Sequence, residues 1–317
     1  MTSISDIRTI CPSEAVQYLN GKFWIPVKGF ESHLDTELAI ENSSPIQYVG
    51  DSEKIYAAPY EASGRQNRLV YCEGIQRDIL WKQLCWEAPF IAHFNSISDA
   101  AALLRNIQRN WAHYPITCFR RAELISKKLP YISMKEKNFP YRVPLADMGV
   151  WSLLDEHTLI ASAKTSSPFP LGLIRFNEDH QNPPSRAYLK LWEAITLLDF
   201  YARRAQTLQP DTTKPILQEG SHCIDAGACP GGWTWVLHNL GAAVTAIDRS
   251  PLADRLMREP RVTFIQHDAF TLTPQELGKQ DWVFSDVICY PPRLLQWVEQ
   301  WLASGLCSQF VCTIKMQ

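Results

Sequence analysis

The stretch CIDAGACPGGWTWVLHNLGAAVTAIDRS, residues 223–250, decides how this chain is expected to fold. Apolar residues lead into Asp225, a glycine-rich turn follows, and a segment of helical length reaches about Leu240 before a second apolar run ends at Asp248. Glycines let a backbone turn sharply and approach a ligand, and a helix that follows such a turn directs unpaired N–H groups toward it. The order strand, glycine-rich turn, helix and strand therefore predicts a nucleotide-cofactor site.

The spacing within the turn narrows the kind of cofactor. The turn reads GACPGG, which is neither the GxGxxG of dinucleotide sites nor a P-loop ending in Gly-Lys-Ser/Thr. No lysine follows that could hold phosphates, so a nucleoside cofactor without phosphates fits better. Asp248 ends the second strand, where a carboxylate can accept hydrogen bonds from a ribose diol. A tight turn in an α/β core that binds no ligand is the alternative interpretation.

Residues 225–233, DAGACPGGW, resemble motif I of the S-adenosylmethionine methyltransferases of the FtsJ-like class. The resemblance implies S-adenosylmethionine as the cofactor and implies a set of residues that contact it. These are Asp225, Gly227, Cys229, Pro230, Gly231, Gly232, Trp233, Asp248, Asp268 and Asp286. Cys229 is also open to interpretation as a nucleophilic thiol, but its place in the turn favours a packing role.

The composition is that of an ordinary globular protein, with 46% hydrophobic and 20% charged residues in 317. This length predicts two or three domains. Neither an apolar run of membrane-spanning length nor a basic and apolar leader is visible, so we expect a soluble, cytoplasmic protein without membrane contact. The nine cysteines and eight histidines show no paired metal-ligand spacing, so we expect no metal.

The charge is unevenly distributed, although the net charge is only −2. Residues 105–142 hold nine basic residues against two acidic ones. The basic residues are Arg105, Arg109, Arg120, Arg121, Lys127, Lys128, Lys135, Lys137 and Arg142, and the aromatic residues among them are Phe119, Tyr131, Phe139 and Tyr141. Bases and rings together hold RNA through phosphate contacts and stacking, so the segment predicts an RNA-binding surface. A solvated helix face beside core aromatics is the alternative.

Strand and helix patterns alternate along the last third of the chain. Three further strands are predicted at 262–268, 282–287 and 309–315, with helical segments at 252–258 and 293–303 between them, and an amphipathic helix is predicted at 185–200. This alternation predicts a parallel, doubly wound sheet whose site lies at the carboxyl ends of its strands. Asp225, Asp248, Asp268, Asp286 and Lys315 all follow or end such strands.

Earlier segments have a mixed α+β pattern. Strands are predicted from Phe23, at 46–50 and at 54–60, with a helix at 30–40. A second helix is predicted at 98–111, capped by Ser98 or Asp99, and a hairpin at 151–163.

Several motifs together resemble the ribosomal RNA large-subunit methyltransferase M family. They are SSPFPLGLIRF (166–176), PSRAYLKLWEA (184–194), the turn motif, HDAF (267–270), SDV (285–287) and TIK (313–315). The resemblance implies a Rossmann-like methyltransferase domain at 184–317 after a linker at 166–183. It also implies an N-terminal α+β RNA-binding region, with an extension at 1–22, a ferredoxin-like unit at 23–97 and a THUMP-like domain at 98–165.

Members of this family methylate a cytidine ribose 2′-hydroxyl of 23S rRNA with a Lys-Asp-Lys-Glu tetrad. By position, the resemblance assigns Lys190, Asp286 and Lys315 to the first three places. A ribose hydroxyl is a poor nucleophile, so an amine that accepts its proton is needed, and Lys315 is the candidate general base.

The chain departs from the family in two places. Ala187 stands where the family has a serine near the cofactor. Only two residues follow Lys315, so the tetrad glutamate and the C-terminal strands of the sheet are expected to be missing, which leaves an apolar edge strand. Two alternatives to a ribose methyltransferase therefore stay open: an RNA-binding protein that has the cofactor fold without turnover, and a methyltransferase acting on an RNA base.

Overall fold

The computed structural model describes residues 16–41, 47–48, 68–208 and 217–315. The chain forms two compact units. The first comprises residues 1–136 and 143–175, and the second comprises residues 137–142 and 176–317. Residues 137–142 thus belong to the second unit, although the THUMP-like assignment at 98–165 includes them.

The first unit contains two β-sheets, and its described strands and helices alternate irregularly along the chain. The strands are β1 (Val16–Tyr18), β2 (Lys22–Pro26), β3 (Gln47–Tyr48), β4 (Val70–Cys72), β5 (Lys82–Trp86), β6 (Pro89–His93), β7 (Trp111–His113), β8 (Gly149–Leu153) and β9 (Thr158–Ser162), and the helices are α1 (Glu31–Glu41), α2 (Ile97–Ile107) and α3 (Phe119–Ser126). One sheet has the order β1-β6-β9-β8-β7 and the other β3-β4-β2-β5. Neighbouring strands are antiparallel except β7 and β8. The unit is α+β, as predicted, and its ferredoxin-like and THUMP-like assignments stay predictions.

The hairpin of β8 and β9 lies in the interior of the five-stranded sheet of the first unit. All ten of its strand residues are buried, five in each strand, because both faces of the sheet are covered. Successive side chains of a strand point to opposite faces. Trp151 and Leu153 accordingly pack in one core with Leu104 of α2, whereas Val150 packs in another with Trp86. The predicted hairpin is confirmed.

The predicted N-cap residue of α2, Ser98 or Asp99, lies two to three residues later in the sequence than the observed one. The helix begins after Ser96, whose extended backbone lets its hydroxyl accept a hydrogen bond from Asp99 N at 3.2 Å. Such a side-chain acceptor satisfies one of the free N–H groups of the first turn. Ser98 and Asp99 lie inside the helix, and Trp111 begins β7.

The second unit holds a five-stranded sheet with helices between its strands. Its elements are α4 (Tyr188–Leu208), β10 (His222–Ala226), α5 (Gly232–Asn239), β11 (Ala243–Asp248), β12 (Val262–Gln266), α6 (Pro274–Leu277), β13 (Trp282–Ser285), α7 (Pro291–Ser304) and β14 (Phe310–Cys312). The strand order is β12-β11-β10-β13-β14, and every neighbouring pair is parallel. The predicted Rossmann-like, doubly wound sheet is confirmed.

The strand order determines where a ligand binds in such a sheet. From β10 the chain proceeds outward to β11 and β12, and it then returns to the other side of β10 as β13 and β14. The helices that follow β10 and β13 therefore diverge, and a crevice opens at the carboxyl end of β10. The glycine-rich turn lies at this end.

Other sequence expectations differ from the structure. The predicted extension at 1–22 includes residues 16–18, which pair with β6 as an edge strand. The helix predicted at 252–258 is reduced to one 3₁₀ turn at Leu256–Arg258. The strand predicted at 54–60 lies outside the described residues. In the described part of the chain, every helix is too short or too polar to span a lipid bilayer.

Candidate active site

The turn between β10 and α5 is held close to the sheet. Gly227 and Gly231 have φ angles of +78° and +111°, which glycine adopts without strain. The N–H groups of Gly227 and Ala228 donate to the carbonyl oxygen of Ile247 at 2.9 and 3.2 Å. A β-carbon on Gly231 would collide with Leu256 Cδ1. Glycine is therefore favoured at Gly231 by the backbone angle, and any larger residue would also have to displace the end of the Leu256 side chain.

Asp225 lies beneath this turn rather than on its surface. Only 1% of the residue is exposed, and Thr234 Oγ1 of α5 donates a hydrogen bond to its Oδ2 at 2.6 Å. Burial raises the pKa of Asp225 from 3.8 to about 7, although the hydrogen bonds from Thr234 oppose the rise. The observed contact of this carboxyl joins the strand to the following helix, and its predicted contact with the cofactor stays a prediction.

The remaining residues of the motif divide into packed and exposed ones. Trp233 is buried, and its Nε1 donates to the carbonyl oxygen of Ala187 at 2.9 Å, just before α4. The backbone of Ala187 therefore contacts the motif even though the family's serine side chain is absent. Gly232 is also buried, whereas Cys229 and Pro230 are exposed. Although Cys229 is exposed, partial desolvation of its thiol raises the pKa, and nearby Asp248 acts in the same direction, which disfavours a nucleophilic thiolate.

Asp248 closes the turn from the end of β11. Its Oδ2 accepts a hydrogen bond from Cys229 N at 3.0 Å, and its Oδ1 accepts one from Ser250 N at 2.9 Å. Each carboxylate oxygen can accept about two hydrogen bonds, so both oxygens keep a free acceptor position. Asp248 is thus oriented by the backbone and remains able to bind a diol.

Asp268 has hydrogen-bond partners that were not predicted from the sequence. Its Oδ2 accepts hydrogen bonds from Arg249 and from Arg293, the latter at 3.0 Å, and its Oδ1 accepts one from Phe270 N at 3.0 Å. Burial raises the pKa of Asp268, but the hydrogen bonds from Phe270 N and the two arginines outweigh burial and lower it. One acceptor position of about four remains for a ligand.

The three predicted catalytic residues converge at one point. Lys190 Nζ, from the first turn of α4, lies 2.9 Å from both carboxylate oxygens of Asp286, which directly follows β13. Lys315 Nζ, beyond β14, lies 2.7 Å from the main-chain oxygen of Asp286 and 3.4 Å from its Oδ1. Two amines from distant parts of the chain therefore share a single, mostly buried carboxylate.

The described residues fit a nucleoside cofactor in the chemistry of their donors and acceptors. Asp248 offers two oriented acceptors, and the turn at 227–232 is held close to the sheet. No lysine follows the glycines of the turn as it does in a P-loop. A cofactor seated at this crevice would lie between Asp248, at the end of β11, and Asp286, just after β13, because these strands flank β10 on its two sides.

Sequence reasoning missed three residues of this site. Thr234, Arg249 and Arg293 hold the carboxylates of Asp225 and Asp268. Arg249 directly follows the end of β11, so its position at a strand end was an available signal. The other two lie inside helices and carry no distinguishing pattern.

The basic segment contributes exposed cations and only some of its rings. Arg109, Lys135 and Arg142 are exposed, and Tyr131 is 76% exposed. Phe139 instead stacks on Trp192 of α4, with ring centroids 4.8 Å apart and planes 5° from parallel. The other predicted rings lie between these extremes: Phe119 is 36% exposed, and Tyr141 packs beneath the Lys137 ammonium group. Phe139 is therefore engaged within the second unit and is not a free stacking ring.

The comparison with protein families defines the class of this domain. Residues 184–312 match the family described as FtsJ-like methyltransferase. The matched range contains the turn, Lys190, Asp248 and Asp286, and it ends just before Lys315. The second unit therefore carries an FtsJ-like methyltransferase domain. The predicted cofactor, S-adenosylmethionine, is confirmed by this match.

Within that class, the chain is related to proteins named ribosomal RNA large subunit methyltransferase M, as its motifs indicated. The protein from Azoarcus sp. is 36% identical over 150 residues, which cover 47% of this chain and 38% of that protein. The one from Alkalilimnicola ehrlichii is 35% identical over 157 residues, covering 50% and 40%. The one from Xanthomonas campestris pv. campestris is 28% identical over 221 residues, covering 69% and 57%. The chain thus spans less than two thirds of these relatives' own length.

Proposed function

We propose that this chain is an S-adenosylmethionine-dependent RNA methyltransferase that modifies a ribose 2′-hydroxyl, with a cytidine of 23S rRNA as its target. The observation that supports this proposal is the convergence of Lys190 and Lys315 on Asp286. A ribose hydroxyl needs a group that accepts its proton as it attacks, and this cluster offers two amines for that role. The names of the related proteins support ribosomal RNA as the substrate.

The three residues divide the work at the hydroxyl. In its neutral amine form, Lys315 Nζ is the group to which we assign the proton that the 2′-hydroxyl loses as its oxygen takes the methyl group. Asp286 orients it through its main-chain oxygen and its carboxylate, and the same carboxylate holds Lys190. Lys190 is about half exposed, so its ammonium group is available to hydrogen-bond the ribose as well.

The bound cofactor supplies an electrophilic methyl group. We assign binding of the cofactor's ribose diol to Asp248 and binding of its methionine end to residues near Asp286. We assign the turn at 227–232 to contact the cofactor through the protein backbone. Holding the hydroxyl and the methyl group in line contributes a large part of the rate of such reactions.

An RNA substrate also needs a binding surface. We assign the exposed cations of residues 105–142 and the exposed ring of Tyr131 to RNA binding, through phosphate contacts and stacking. With ribosomal RNA as the substrate, we also assign the protein to the cytoplasm.

A transfer assay tests the proposal. The chain is incubated with S-adenosylmethionine carrying a labelled methyl group and with unmodified 23S rRNA, and the product nucleosides are identified by mass spectrometry. We expect 2′-O-methylcytidine. Lys315→Ala should lower the transfer rate by roughly 10² to 10⁴-fold, the usual contribution of a general base, while cofactor binding measured by calorimetry persists.

Lys279→Ala is the matched control, since Lys279 is an exposed lysine of the same unit. It should leave transfer unchanged. A methyl group found on a base would favour a base-modifying enzyme. Salt-sensitive RNA binding without any transfer would favour a binding protein, and either result would reject the proposal.

A further inference from the structure

The segment that follows Asp286 presents two large apolar side chains to solvent. Along Val287, Ile288, Cys289 and Tyr290 the side chains alternate between the interior and the surface. Val287 packs against the turn, where a β-carbon on Gly227 would lie 2.9 Å from Val287 Cβ, and Cys289 packs against the core beneath α7. Ile288 and Tyr290 are 72% and 71% exposed.

The backbone of this segment is held at both ends. Before it, Ser285 Oγ donates to the carbonyl oxygen of Ala226 at 3.1 Å, and Lys315 Nζ donates to that of Asp286 at 2.7 Å. At its other end, the carbonyl oxygen of Tyr290 accepts from Arg293 N at 3.0 Å. Pro291 and Pro292 then begin α7 with restricted φ angles. The two exposed side chains are therefore carried by an ordered backbone, which lowers the entropy lost when a ligand packs on them.

This surface is near enough to the catalytic groups along the chain for one nucleotide to contact both. Tyr290 lies four residues after Asp286, so their α-carbons are at most about 14 Å apart. The charge nearby also suits a nucleic acid strand. Arg293, one helical turn beyond Tyr290, and Arg249 both pair with the carboxylate of Asp268, so these three side chains together carry one positive charge.

We propose that Tyr290, flanked by Ile288, is the platform on which the base of the target nucleotide stacks while its ribose lies at Lys315. The inference rests on the proposed function, since it assumes an RNA substrate at this site. A single exposed apolar residue is ordinary on a protein surface. Here, two of them alternate on an anchored segment directly beside the catalytic carboxylate, and a flat ring is the side chain that binds a base face most strongly.

Substitution of Tyr290 tests the platform. Transfer to unmodified 23S rRNA is measured at saturating cofactor for the wild type, Tyr290→Ala and Tyr290→Phe. Base stacking on a ring contributes about 1–3 kcal/mol, so Tyr290→Ala should lower kcat/KM for RNA by roughly 5- to 150-fold. Tyr290→Phe keeps the ring and should stay within about twofold of the wild type. Leu302→Ala, which removes a 53% exposed side chain from the other end of α7, is the control and should change nothing.

A substrate change separates stacking from a merely structural role. Synthetic RNA oligonucleotides around the mapped target are prepared with the target base present or replaced by an abasic ribose, which retains the 2′-hydroxyl. The wild type should lose rate on the abasic RNA, and Tyr290→Ala should lose no further rate, because both changes remove the same contact.

The possible results distinguish this inference from the proposed function. Absence of transfer by the wild type would reject the proposed function and the platform with it. Transfer by the wild type that Tyr290→Ala leaves within about twofold would reject the platform alone. The platform alone would also be rejected if Tyr290→Ala lowered the rate on the abasic RNA by the same factor as on the RNA that carries the base.

Discussion

Substitution of Asp225 by asparagine should remove the pH dependence that this buried carboxyl gives to the free energy of unfolding of the second unit. Asp225 is 1% exposed, and its pKa is raised to about 7 from 3.8 by burial. Because the native pKa lies above that of the unfolded chain, the native state binds more protons between these two values. The free energy of unfolding therefore falls as the pH rises through this range.

The size of the effect follows from the two pKa values. A pKa difference of this size corresponds to about 4 kcal/mol, since one pKa unit is about 1.36 kcal/mol. The stabilisation by the neutral carboxyl is complete below the unfolded pKa of 3.8 and is lost as the pH rises through about 7. The asparagine side chain of the variant stays neutral and keeps an oxygen that can accept the hydrogen bond from Thr234. The stability of Asp225→Asn relative to the wild type should consequently increase by about 4 kcal/mol between about pH 4 and about pH 8.

The measurement compares the two proteins over this pH range. Urea unfolding gives the free energies, and hydrogen exchange of the β10 amides assigns the transition to the second unit. Other titrating groups are present in both proteins and cancel in the difference. Thr234→Val is the companion variant: because the Thr234 hydroxyl lowers the pKa of Asp225, its loss should extend the pH-dependent loss of stability to higher pH. A difference between variant and wild type that is constant with pH, or that shrinks as the pH rises, would refute the argument.

Three further substitutions test the local geometry. Gly231→Ala should destabilise the second unit by more than about 1 kcal/mol and weaken cofactor binding, because φ is +111° and the new carbon meets Leu256; calorimetric affinity equal to the wild type would contradict this. Trp233→Phe loses the hydrogen bond to Ala187 and should lower the free energy of unfolding in urea by about 1 kcal/mol. A urea midpoint equal to that of the wild type would contradict this. Ser96→Ala removes a helix cap and should lower the stability of the first unit by about 1 kcal/mol, whereas Ser96→Asp should restore it; equal melting of all three proteins would exclude the assigned cap.

The second unit could be predicted from the sequence in most of its elements. The strands at 222–226 and 243–248 and the helix between them occur where residues 223–250 indicated, and the parallel sheet was predicted from the alternation of strands and helices. Boundaries were less certain, since the helix predicted at 252–258 forms only one 3₁₀ turn. The periodicity of apolar residues in a short segment indicates whether the segment is a helix or a strand better than it indicates where the element begins and ends.

The candidate site was predictable as a set of positions but not as a set of contacts. Lys190, Asp286 and Lys315 were assigned by resemblance, and the structure brings their side chains together. Asp268 was expected to face a cofactor, yet two arginines already occupy much of its carboxylate. Phe139 was expected to be available for RNA, yet it packs on a helix of the second unit. Each of these outcomes depends on residues distant in the sequence.

The sequence by itself determined the glycine-rich turn, the parallel sheet and the class of cofactor. Their requirements are local, because a left-handed φ, a strand of apolar residues or an acid at a strand end depends on a few neighbouring residues. Only the tertiary structure decided which charges meet. Lys190 reaches Asp286 across 96 positions of sequence, and Lys315 reaches it across 29. The register of β10, β13 and β14 and the packing of α4 bring these side chains together, and no local pattern encodes that register.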